Sequence, residues 1–144
     1  MKDDASLAKF LRALDSRALT MVSDEDIIRI ATQAESKTAR EWEVEGDHSA
    51  PFDLVGHAAT IAALAITVGV VWGYVASAYK IGKTLVQFLR DADSIADLMV
   101  DDNKKLELVE GVIRRLRAAG LESASSRVER WVEAVLERLT RPQP

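Results

Sequence analysis

The chain of 144 residues contains no cysteine, three prolines and seven glycines, and only 6% of it is aromatic. Without cysteine there is no disulfide framework and no thiolate chemistry. With so little proline and glycine, and with β-branched residues falling into helix-spaced patterns, the composition favours an all-α fold over a turn-rich β one. A basic excess is also missing. The net charge is −4, and neither end of the chain carries the positive field that nucleic-acid phosphates require. No nucleic-acid partner is therefore expected. The opening residues, Met1 to Phe10, place acids where a signal peptide has bases and lack a continuous apolar stretch, so no cleavable signal is expected there.

What is present is uneven. Residues 1–53 hold seven Lys/Arg against twelve Asp/Glu, while residues 80–144 hold twelve against eleven. Between them, Leu54 to Tyr79 contains no Asp, Glu, Lys or Arg at all. As a helix these residues would extend about 39 Å, against a bilayer core of roughly 30 Å, and their hydropathy lies in the range that marks membrane spans. Trp72, Tyr74 and Tyr79 gather near the end of the segment, where an aromatic belt would sit, and Lys80 and Lys83 close it. We expect one central hydrophobic helix, a transmembrane one, flanked by short amphipathic helices. Its partner would be the lipid bilayer, with the C-terminus in the cytoplasm by the positive-inside rule.

Around that segment the periodicity predicts four organised regions. An acidic two-helix module occupies residues 1–45. Its first helix runs from about Asp3 to Val22, with Leu7, Leu11, Leu14, Ala18 and Met21 on one face. A second starts sharply at Ser23, where the serine can cap, Asp26 sits in the first turn, and Val22 and Ile27 are placed as a hydrophobic staple; Ile30 and, further on, Trp42 continue its apolar face. Residues 46–53 read as a linker. After the central helix (54–79), an amphipathic extension over 80–102 carries Ile81, Leu85, Phe88, Leu89, Ile95 and Met99 at helical spacing. Residues 104–140 then form a helical hairpin punctuated by Gly120, with Leu106, Val109, Ile113 and Leu116 on one arm and Ala124, Val128, Trp131, Val135 and Leu139 on the other.

The most informative pattern inside the central helix is a ladder of small residues, Ala65, Gly69, Gly73 and Ser77, each four apart. On a helix they stack into a groove with almost no side chain, where another helix can approach backbone to backbone. In water the two interior glycines would each cost roughly 1 kcal/mol relative to alanine, so a close contact is expected to compensate. Ile66, Val70 and Val71 flank the ladder as ridges.

Chemistry-bearing constellations are sparse. Asp53 and His57 share a helix face at the edge of the apolar segment and read more simply as a helix-start carboxylate and an interfacial histidine than as a proton-sensitive latch. His48 stands in the linker, and two histidines without cysteine do not make a zinc site. The carboxylates Asp101/Asp102 and Glu107/Glu110 resemble solvated helix ends. Arg114, Arg115 and Arg117 fit a solvated face better than a lipid-headgroup site. No nucleophile elbow or phosphate loop occurs. We expect no cofactor, no metal and no enzyme activity.

The function expected is that of a non-enzymatic single-pass membrane protein acting through helix-mediated self-association or partner binding, as a homo-oligomer that can also engage a protein through its soluble helices. Two alternatives remain. One is a soluble helical-bundle interaction protein with 54–79 as its buried core helix, since a helix apolar all round serves either role. The other is a pore-forming or holin-like toxin, for which the polar residues Thr60, Thr67 and Ser77 are a thin lumen lining.

Overall fold

A computed structural model describes residues 2–17, 19–20, 22–33, 54–91 and 94–140. Among them the chain forms six helices and no strand: α1 (Lys2–Leu14), α2 (Asp24–Gln33), α3 (Leu54–Ala78), α4 (Leu85–Arg90), α5 (Asp102–Ala118) and α6 (Ser125–Thr140). The all-α expectation holds. So does the dominance of a long apolar helix, which meets α1, α2, α5 and α6, while α5 and α6 pack on each other as a hairpin and α1 also touches α2, α4 and α6.

The first helix is shorter than its periodicity suggests. It ends at Leu14, and the chain turns so that Leu19 is fully buried. Arg12 makes the turn possible. Its guanidinium donates to the Leu19 carbonyl (2.6 Å) and to the Val22 carbonyl, and it reaches Asp24 Oδ1 at 2.8 Å. The Leu19 and Val22 carbonyls of the turn thus gain a charged donor. The next helix begins as its sequence predicts: Ser23 Oγ accepts from the Asp26 amide (3.2 Å), three acids occupy the first turn, and Val22 and Ile27 are both buried. Trp42, the linker 46–53 and His48 lie outside the described residues, as do Ala18 and Met21.

The amphipathic extension over 80–102 is not one continuous helix with α3. At its end the Ile81 amide donates to the Ala76 carbonyl (2.8 Å) and the Lys80 amide to Ser77 (3.3 Å), while Lys80 takes the left-handed conformation, φ 55°. That is a Schellman stop, made by a lysine where glycine is usual. Helix α4 then starts afresh from a capping box in which Thr84 and Gln87 bond reciprocally. Its apolar face, Leu85, Phe88 and Leu89, is buried as the spacing implies. Residues 94–101 run on without helix, pinned where the Ile95 amide donates to the Leu139 carbonyl (2.9 Å).

Asp101, read from sequence as a solvated helix end, is the N-cap of α5, its carboxylate accepting from the Lys104 amide at 2.7 Å. The buried face of α5 is Leu108, Val109, Val112 and Leu116, so Leu106 faces water rather than the hairpin seam. Gly120, φ 76°, closes the helix with a second Schellman pair, and buried Leu121 donates its amide to Leu116 (2.8 Å). Helix α6 begins at Ser125, with the Ala124 carbonyl accepting from the Arg127 and Val128 amides, and buries Val128, Trp131, Val132, Val135, Leu136 and Leu139.

Candidate functional site

Helix α3 has two unlike sides. Ile61, Ala62, Leu64, Val71 and Val75 are completely buried, and Ala63, Ile66 and Val68 nearly so. Thr67 is buried with them, its hydroxyl satisfied by the Ala63 carbonyl at 2.8 Å. In the second half of the helix, away from Val71 and Val75, Gly69, Gly73 and Ser77 are exposed, while Ala65 one turn earlier is half-buried. The four ladder residues share one line by helical spacing, and the described chain leaves that line open only from Gly69 onward, since Ala62 and Ile66 on the same face are buried. A methyl group built at Gly73 would meet nothing within 4 Å. Of the ridges, Ile66 and Val71 point into the core and Val70 is half-buried, close to Gly111 of α5.

The aromatic residues at the end of α3 are half-buried and each is engaged by another segment of the chain. Trp72 packs on Phe88 of α4 with ring centres 5.2 Å apart. Tyr74 lies under the Lys104 ammonium, 5.1 Å from the ring centre, and Lys104 also bonds Glu107 at 2.8 Å. The hydrogen bond and the charge of Glu107 raise the Lys104 pKa above the usual lysine value. The Tyr79 hydroxyl donates to the Asp97 carbonyl and accepts from the Met99 amide, both at 3.3 Å. Lys80 and Lys83 are exposed beyond the helix end, and Lys83 pairs with Asp91 at 3.2 Å.

Among the described residues one helical stretch, Ala58–Ala78, is long and apolar enough to cross a membrane, and 56% of its most apolar window is buried by the rest of the chain. A span and a core helix both satisfy those properties. Among the described residues no group of three or more His, Cys, Asp or Glu could hold a metal ion. Of the carboxylates singled out in the sequence, Asp101 caps α5 and Glu107 pairs with Lys104, while Arg114, Arg115 and Arg117 stand exposed. The side chains of Asp53 and His57 lie outside the described residues.

Sequence reasoning missed one tertiary clasp. Asp15, just past α1, accepts from Arg127 (3.3 Å) and from the Trp131 indole nitrogen (3.4 Å), and the Arg127 guanidinium stacks over the Trp131 ring at 4.9 Å. The partners are more than a hundred residues apart, beyond the reach of any local pattern. No protein family, curated protein or solved structure matches the chain.

Proposed function

We propose that this chain is a non-enzymatic helical interaction protein in which α3 is the core helix of a bundle and the Ala65–Gly69–Gly73–Ser77 line is the face that takes α3 of a second copy. The observation that carries the reading is the open Gly73. Glycine in a water-facing helix interior costs roughly 1 kcal/mol relative to alanine, and no neighbour in the fold occupies the space its missing side chain leaves. A second helix docking there would use that space. The absence of charge from Leu54 to Tyr79 lets two identical faces meet without like-charge repulsion.

Sedimentation equilibrium tests this directly. The parent should self-associate, and Gly69→Leu/Gly73→Leu, which fills the line without adding charge, should be monomeric with unchanged helicity. A parent that stays monomeric across the concentration range overturns the reading.

A second reading is favoured by one observation: the open side of α3 carries no charged residue, unlike an ordinary amphipathic surface helix. In that reading α3 is a single membrane span, the same small-residue line packs helices within the bilayer, Lys80 and Lys83 mark the cytoplasmic end, and α1, α2, α5 and α6 must leave α3 before it inserts. Alkaline extraction of membranes separates the two readings. Recovery in the supernatant supports the bundle, and retention in the pellet supports the span.

A further inference from the structure

We propose that the open cleft between residues 98–101, the start of α5 and the end of α6 is a docking groove for a basic amphipathic helix of a partner protein. The cleft has a volume of about 800 Å³ and is lined by Leu98, Met99, Val100 and Leu136 together with Lys105, Thr140 and three carboxylates. Met99 is 85% exposed, the most exposed large apolar side chain described, and Leu106, next to Lys105, is the other at 58%. Exposed thioethers adapt to varied apolar partners. Met99 is not on a loose loop: its amide is held by the Tyr79 hydroxyl, Ile95 is tied to Leu139, and Asp101 is committed to capping α5. A prearranged apolar surface of this kind loses little entropy on binding.

Charge selects the occupant. Among the described residues Asp101, Glu133 and Glu137 line the cleft beside Lys105, so a complementary helix carries Lys or Arg beside its apolar face. Residues 34–53 of this chain are poor candidates, with six acids against two bases, and a second copy brings a net charge of −4. No α3 residue lines the cleft, so the proposal stands independently of the self-association reading.

The probe is a designed 18-residue helix of leucine and lysine, titrated by fluorescence anisotropy against the full chain, with a leucine–glutamate helix as its counterpart. Saturable binding of the basic helix is expected, weakened about tenfold in Met99→Ser and again in Glu133→Lys. Both side chains being exposed, the urea midpoint should not move, and Gly69→Leu/Gly73→Leu should bind as the parent does. Absence of saturable binding overturns the proposal. So does equal binding of the acidic helix, or parent-like affinity in both groove variants. Loss of a parent dimer in Met99→Ser also overturns it, because a second copy would then be the occupant.

Discussion

The two sides of α3 are equally free of charge, and they differ in volume. The buried positions include Ile61, Leu64, Val68, Val71 and Val75 and also Ala62 and Ala63; the open side, from Gly69 onward, carries Gly69, Gly73 and Ser77, with Ala65 half-buried before them. An ordinary amphipathic helix separates apolar from polar residues, whereas in the second half of this one Val71 and Val75 are buried and Gly69, Gly73 and Ser77 are exposed. Large side chains give the amphipathic helices around α3 enough apolar surface to bury. Small ones leave a flat side that water tolerates and that another helix could approach closely. Sidedness in the second half of this uncharged helix is thus carried by side-chain size.

The sharpest way to break the comparison is to place the same charge on each side. Val71→Arg buries a guanidinium on the covered side and should remove several kcal/mol of stability, enough to unfold a domain of ordinary stability. Ser77→Arg on the open side should stay within about 0.5 kcal/mol of the parent. Equal effects in urea denaturation would show that the sides are not distinct in solution. Less drastic is Leu64→Ala, which empties a fully buried site and should cost about 2–5 kcal/mol, read as a lowered urea midpoint.

Asp15→Ala tests how the N-terminal helices are held over the covered side. It leaves the indole nitrogen of nearly buried Trp131 without this acceptor and should cost about 1–3 kcal/mol. A double-mutant cycle with Arg127→Ala should show coupling, and strict additivity would dissolve the clasp.

Two smaller changes sharpen the ends and the open side. Lys80→Gly relieves a left-handed lysine and should stabilise by about 1 kcal/mol in thermal unfolding. Gly73→Ala, with nothing nearby to meet its methyl, should raise monomer stability by about 0.4–1 kcal/mol while weakening self-association. Destabilisation of the monomer would mean that the fold itself needs a glycine there.

Much of this was written in short-range pattern. Ser23, Gly120 and the apolar faces of α2, α4 and α6 are recognisable from capping chemistry and period because each depends on residues within one or two turns. The uncharged run that becomes α3 and the small-residue line along it are likewise plain in the sequence, since helical geometry alone brings i and i+4 together. The continuous helix expected through 80–102 fails because a lysine accepts a left-handed stop that composition assigns to glycine, and because Thr84 with Gln87 opens a new helix there.

Which side of α3 is covered could not be read from residues that are apolar all round; it depends on where α1, α2, α5 and α6 find enough large side chains to bury. The same holds for Arg12 fastening the α1–α2 turn, for Asp15 meeting Trp131, and for Met99 being fixed beside an acidic cleft. Those contacts join segments remote in the chain, and their geometry exists only once hydrophobic burial has brought the helices together. Local periodicity determined the helices and their faces, and long-range packing decided which faces meet.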